Sequence, residues 1–238
     1  MVLNAESTAL ETKHLGFTIS PHEECGVEEA VRLIEAGGGE SVVLTLGPAG
    51  AAEQLRDAMA LGIDRAIHLQ TDETEWDGEA TATALVVAIR ADEAASGPFD
   101  LIFFGNESAD AGGFQVGIRV ARALARPCVT GLKGVKVEGA SVRCEQDAGG
   151  GRDVFVVPLP AVLTVKEGLN LPRYPSVPGR MRAARKPVAT SAPASPGARL
   201  KMTHLAVPGG SSRQTERLGS GAAAAPAVVE MLRKIGIV

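Results

Sequence analysis

Aromatic side chains are nearly missing from this sequence: Phe, Trp and Tyr together make up 3% of its 238 residues, with a single Trp and a single Tyr. The hydrophobic share of 45% must therefore come from Val, Leu, Ile and Ala, and any core is aliphatic. Cysteine is also scarce. Cys25, Cys128 and Cys144 are odd in number, far apart and without a CxxC spacing, which argues against a disulfide framework. His14, His22, His68 and His204 are scattered, so no metal-ligand cluster is expected. No apolar run approaches the roughly 18–20 residues that span a bilayer. The opening stretch MVLNAESTALETKHLGF has no apolar segment of a secretory signal. The expectation is a cytoplasmic protein with no membrane association.

The familiar catalytic signatures are missing as well. No GxxxxGK[ST] phosphate loop, no GxGxxG after a strand and no GxSxG turn occurs. Glu107 and Asp110 share a polar loop, where carboxylates are ordinarily solvated, so no catalytic residue is assigned. The net charge of −4 argues against a general nucleic-acid binder. The basic run Arg173, Arg180, Arg182, Arg185 and Lys186 has one aromatic, Tyr174, and reads better as a protein-docking arm.

What is present is an alternation of helix and strand from about 24 to 125. Val27, Ala30, Val31 and Ile34 fall on one helical face, and Gly37, Gly38 and Gly39 stop it. The run 41–46, SVVLTL, is a buried parallel strand by composition, followed by a Gly47-Pro48 turn. A helix over 51–61 turns Leu55, Ala58 and Met59 inward. A strand over 65–69, a helix over 80–95, a strand over 101–104 and a helix over 115–125 follow. This order implies a parallel sheet flanked by helices. Short strands over 133–138, 141–146, 153–157 and 161–165 come next, joined by Gly-rich turns. From Leu171 to about Pro196 the chain is Pro-rich and basic, and is expected to be extended and solvated. Residues 209–221 read as a loop, and Val228, Met231, Leu232 and Ile235 as a final helix. The division expected is an α/β nucleotide-binding domain over 1–166 and an extended partner-binding arm with a C-terminal helix over 167–238.

Ligands of open parallel sheets bind outside the carboxyl ends of the strands. Three loops qualify: 47–49, 70–77 and 105–114. The last leads into a helix near Gln115, whose free N–H groups and dipole favour an anion such as phosphate. Gly112 and Gly113 would permit close approach of backbone, or would merely turn the chain.

Three stretches carry a resemblance. LIFFGNESADAGGFQVGIRVARALARPCVTG (101–131) and GLNLPRYPSVPGRMRAARKP (168–187) resemble the signature regions of the electron transfer flavoprotein β subunit, and 26–69 is similar to that family's early segment. The resemblance implies a parallel-sheet, Rossmann-like adenine-nucleotide-binding α/β fold of about five strands, with an arm that wraps an α subunit. The α subunit would hold most of the FAD. AMP, or a second FAD, would sit in this chain. Electrons would pass from acyl-CoA or other flavin dehydrogenases to a quinone oxidoreductase.

By position, the resemblance places the nucleotide at Ser20, Leu46, Asp110, Gly112, Gly113, Gln115, Val116 and Gly117. Val116 stands where the family has a Thr, and Phe114 lies in the same loop. His22 stands where an aromatic near the flavin is common. Partner docking would centre on Val177, flanked by Tyr174, Pro175, Pro178 and Met181, with Glu145 in support. The family opens with a strand that lies centrally in the sheet. Nothing before residue 20 reads as that strand, so either the start is assigned late or the strand is lacking. Two other readings stay open: a stand-alone adenine-nucleotide-binding protein of the same fold, and a degenerate subunit without nucleotide.

Overall fold

The computed structural model describes residues 2–11, 13, 16, 18–72, 76–108, 111–195, 197, 199–207 and 216–238. Asp110, Pro196 and parts of the 70–77 and 209–221 loops lie outside the described residues. Two compact units result: Thr12–Met202, and Met1–Glu11 with Thr203–Val238.

In the larger unit, α1 (Pro21–Gly37) starts at an extended Ser20, with Pro21 presetting the first helical φ and Glu23 and Glu24 in the first turn. It ends at Gly38, whose φ of 75° suits glycine and whose N–H reaches Ile34 O. There follow β1 (Val42–Gly47), a short 3₁₀ turn (Ala49–Ala51), α2 (Ala52–Leu61), β2 (Arg65–Gln70), α3 (Gly78–Ser96), β3 (Leu101–Gly105) and α4 (Val116–Leu124). Then come β4 (Cys128–Glu138), β5 (Ser141–Ala148), β6 (Gly151–Pro158), β7 (Ala161–Val165), α5 (Val177–Ala183) and β8 (Val188–Ser191).

The fold is α/β, but its strands form two sheets rather than a single sheet of about five parallel strands. One is wholly parallel, in the order β1-β2-β8. The other runs β3-β7-β4-β5-β6; β7 is parallel to both β3 and β4, and β4, β5 and β6 are antiparallel. All five residues of β7, AVLTV, are buried, as a central parallel strand requires. The aliphatic core has three parts. Val31, Leu55, Met59 and Ile63 join α1 to α2. Leu69, Leu85, Ile89 and Val120 pack with Leu44, Leu46, Ile102 and Phe104 beneath α3 and α4. Leu132, Val142, Cys144, Leu163 and Val165 fill the larger sheet, against Cys25 of α1.

The stretch expected to be extended and solvated is corrected between 177 and 191. It forms α5, which packs through the buried Ala183, and β8, which pairs with β2. The sequence carries the reason. Ser176 caps the helix by accepting from Gly179 N at 3.1 Å, with Pro178 in the first turn, and β-branched residues follow in β8.

In the smaller unit, Asn4 Oδ1 accepts from Thr8 N and Ala9 N at 2.9 and 3.1 Å, closing a turn bridged by Leu3 and Leu10. Leu205 N donates to Ser7 O at 2.7 Å. The final helix, α6 (Ala225–Lys234), has no buried residue. Among the described residues before Pro21, that isolated bridge is the sole β-type pairing. No helix among the described residues is long and apolar enough to cross a membrane.

Asp77 fixes the start of α3 and the return of the chain. One oxygen accepts from Glu79 N and Ala80 N at 3.0 and 2.8 Å, the other from Arg199 N and Leu200 N at 2.6 and 3.0 Å. The N–H groups of Ala80 and Leu200, aided by those of Arg199 and Glu79, lower its pKa to about 2. Its folded pKa is depressed, so its stabilisation is complete above the ordinary carboxylate range and is lost as pH falls. The thermal stability of the wild-type chain should fall between about pH 4 and pH 2, and Asp77→Asn should flatten that part of the profile.

Candidate functional site

The carboxyl ends of β3 and β7 are tied to the bulged middle of β4 by one threonine. Thr164 Oγ1 donates to Asn106 Oδ1 at 2.8 Å and accepts from Gly131 N at 3.1 Å. Asn106 N donates to Val165 O at 2.9 Å, and Gln146 Nε2 donates to Thr130 O at 2.9 Å. Gly131 takes a φ of 65° within the register shift of β4, a conformation that glycine tolerates. The loop after β3 therefore springs from a fixed base.

Two cavities flank that loop. One, of about 380 Å³, is lined by Ser20, Pro21, His22, Glu107, Ser108, Ala111, Gly112 and Glu167. Two carboxylates and no Lys or Arg line it. Ser20 is hydrogen-bonded to Glu23, and the buried Nδ1 of His22 has no partner. The second, of about 270 Å³, is lined by Asn106, Phe114, Ile118, Thr130, Gly131, Lys133, Gln146, Asp147 and Lys166. It is the cationic side, although Lys133 is paired with Asp147 at 3.0 Å. Lys133 holds the Asp147 carboxyl below its usual range.

Between the cavities, α4 starts without a side-chain cap at Gln115. Phe114 precedes it with a φ of 53°, a strained conformation for a bulky residue, and its ring is half exposed. The first-turn amides of α4 can receive an anion. The fit to an adenine nucleotide is split. Ser20, His22 and backbone suit a ribose or base, whereas a phosphate would rest on amides, with Glu107 and Glu167 opposing it.

The structure distributes the expected nucleotide residues unevenly. Ser20 and Gly112 line the acidic cavity. Gly113 lies exposed in the loop, and Gln115, Val116 and Gly117 begin α4. The Gln115 side chain accepts from Arg119 Nε at 3.1 Å. Gly117 serves packing: a Cβ there would lie 2.8 Å from Thr164 Cγ2 and 3.2 Å from Phe104. Leu46 turns its side chain into the cluster beneath α3.

The arm forms a separate site. Glu28, on the buried side of α1, is 2% exposed. Arg173 donates to it through Nε and Nη2, both at 3.0 Å, and to Glu35 at 2.6 and 3.0 Å. Burial opposes ionisation of Glu28, but the Arg173 hydrogen bonds and charge, with Arg32, hold its pKa below normal. Asn170 Nδ2 donates to Cys25 O and to Glu29 at 3.0 and 2.9 Å. Further on, Arg180 meets Asp57 at 2.7 Å, and Lys186 Nζ donates to Met59 O and Ile63 O at 3.0 and 2.6 Å. Arg173, Arg180 and Lys186 thus bind the chain's own body. Between these ties, Tyr174, Val177 and Met181 stand 96%, 73% and 66% exposed. Pro178 is exposed beside them. Glu145 is elsewhere, on β5, paired with Arg143 and with Arg152 at 2.8 Å.

Sequence reading missed this clamp, although one signal was available. Glu28 and Glu35 lie at i−3 and i+4 from Val31, so two carboxylates border the apolar stripe of α1, where a charge needs a counter-ion.

A mixed α/β body with a polar loop beyond β3, and an ordered arm presenting apolar side chains, is the architecture to set beside known proteins. The chain belongs to the electron transfer flavoprotein family: residues 8–196 match the model of the electron transfer flavoprotein domain. It is 38% identical over 195 residues to an electron transfer flavoprotein subunit beta of Syntrophomonas wolfei, covering 82% of this chain and 75% of that one. The subunit beta of Bacillus subtilis is 37% identical over 174 residues, 72% of this chain and 66% of its own length. That of Bradyrhizobium diazoefficiens is 32% identical over 213 residues, 87% and 83% of the two chains.

Removing the Arg173 guanidinium leaves Glu28 with Arg32 alone. Arg173→Ala should lower unfolding stability by about 2 kcal/mol, less than a fully buried pair costs because Arg173 is partly exposed. Urea unfolding of the wild type and of Arg173→Lys, which lacks the planar fork and should recover little, checks this.

Proposed function

We propose that this chain is the β subunit of a heterodimeric, cytoplasmic electron transfer flavoprotein. In this reading it has no catalytic residue of its own. Its α-subunit partner holds most of the FAD, and electrons pass from acyl-CoA or other flavin dehydrogenases toward a quinone oxidoreductase. The observation that carries the reading is the exposed trio Tyr174, Val177 and Met181 on a segment whose ends are pinned by Arg173 and Lys186. Apolar side chains on a preordered segment bind a partner with little further loss of entropy.

FAD, when bound, supplies the redox chemistry. This chain's residues position and cover it, while Glu145, paired with its arginines on β5, would act apart from the arm. A structural AMP, or a second FAD in its place, would put its base and ribose beside Ser20 and His22, with phosphate over the first amides of α4. A second reading, a subunit that carries no nucleotide, is favoured by one feature: the cavity beside Ser20 and His22 is lined by Glu107 and Glu167 and by no Lys or Arg.

Coexpression with an α subunit tests the assignment. A yellow complex in one-to-one ratio is expected, and a colourless, self-sufficient monomer or homodimer would overturn it. Nucleotides released by denaturing the complex separate the two readings: about one adenine nucleotide beyond the α-bound FAD, or none. Val177→Ala should weaken assembly by about 1–2 kcal/mol, roughly 5–30-fold in Kd, measured by titration of the two subunits.

A further inference from the structure

The cavity of about 270 Å³ between α4 and the β4–β5 hairpin differs in kind from the acidic one. Three side chains converge over Gly131, one from just beyond β3, one from β5 and one from just beyond β7. A Cβ on Gly131 would lie 3.7 Å from Asn106 Oδ1, 3.2 Å from Gln146 Nε2 and 3.8 Å from Lys166 Cδ. Asn106 Oδ1 is committed to Thr164, and no hydrogen bond among the described residues uses the Nδ2 donors of the same amide. Lys166 is half-buried and takes part in no ion pair or side-chain hydrogen bond among the described residues. Lys133 is different: it is paired with Asp147 at 3.0 Å. Of the charges lining the cavity, the positive charge of Lys166 alone is unanswered.

The facing wall is apolar. Phe114 and Ile118, four residues apart, are 51% and 47% exposed, whereas Val120 and Ala121 of α4 are buried. Phe114 belongs to none of the three core clusters, so burial does not offset the strain of its φ of 53°. One free cation and an amide donor on one wall, with a ring and a branched alkyl chain on the other, specify an amphiphilic monoanion. A phosphate dianion fits less well, because the Asp147 carboxylate opposes a second negative charge. The volume falls below the roughly 300 Å³ at which cavities for drug-sized ligands begin, so the apolar body is small.

We propose that this cavity binds a small apolar carboxylate, with its carboxyl group on Lys166 and Asn106 and its apolar body against Phe114 and Ile118. The site lies across the β3 loop from the Ser20–His22 cavity and does not depend on what that cavity holds.

The test uses the full chain in complex with the α subunit, and the full chain alone. Benzoate is the probe, followed by saturation-transfer NMR and by calorimetric titration. Saturable one-to-one binding is expected in both preparations. Lys166→Met keeps the alkyl stem without the charge and should weaken benzoate at least about tenfold, and Lys166→Arg should restore most of that loss. Ile118→Ser, at a half-exposed position, should weaken it severalfold. Absence of saturable binding, or binding unchanged by both Lys166→Met and Ile118→Ser, overturns the site. Displacement of benzoate by equimolar AMP or inorganic phosphate overturns the carboxylate reading. Binding to the free chain that disappears in the complex overturns the site for the assembled protein. Failure of the chain to join an α subunit removes the subunit assignment alone, and the benzoate titration of the free chain then decides the site.

Discussion

A carboxylate on the buried side of α1 requires a cation, and the chain supplies it 145 residues later. The Glu28–Arg173 pair sets the path of everything after β7. With Asn170 bonded to the α1 backbone, it brings the arm across α1 and delivers α5 to α2 and β8 to β2. A buried ion pair of this kind is a weak source of net stability, because desolvation offsets most of the Coulombic gain. Its effect is on geometry. Once Glu28 is buried, arrangements that leave it unpaired are costly, and the bidentate guanidinium fixes the direction of approach.

The same division between stability and geometry holds at the strand ends. Thr164 is a 3%-exposed hydroxyl that both donates and accepts, so the ends of β3 and β7 are held at the level of Gly131 within β4. Gly117 lets α4 approach that threonine more closely than any side chain would allow. Together they set the uncapped start of α4 between an acid-lined cavity and a lysine-bearing one. Electrostatics alone sends an anion toward the lysine side or onto the α4 amides, and leaves the Ser20–His22 side to neutral hydrogen-bonding groups.

Periodicity and turn residues made most elements legible. Ala161–Val165 was delimited without error, and α3 and α4 were placed within a residue or two, because aliphatic runs bounded by Gly, Pro and Asp leave few alternatives. Between 177 and 191 the proline content of the arm points to extended chain, but the Ser176 cap outweighs it and starts α5. The pairing of β8 with β2 is a long-range event that no local pattern announces. Of the residues that the resemblance offers for a nucleotide, Ser20 and Gly112 line a cavity. The orphaned Nδ1 of His22, and the opposed charges of Lys166 and Glu167 on opposite sides of one loop, could not be read, because neighbours in sequence were sent to different cavities.

The arm has two duties that reinforce each other. It presents Tyr174, Val177 and Met181 outward, and its continuation is the third strand of the smaller sheet. An exposed apolar trio on a free tail would have to be ordered on binding, at the cost of most of what its burial yields. Here that ordering is done during folding, by Arg173 at one end and by Lys186, which caps the carbonyls of α2, at the other. β8 then ties the arm to β2, so the exposed trio is held only as firmly as the smaller sheet. A sheet of three strands, one of them the four-residue β8, is thin support by itself. The order of the exposed trio therefore depends on how firmly β1 and β2 are held in the body by the helices packed on them.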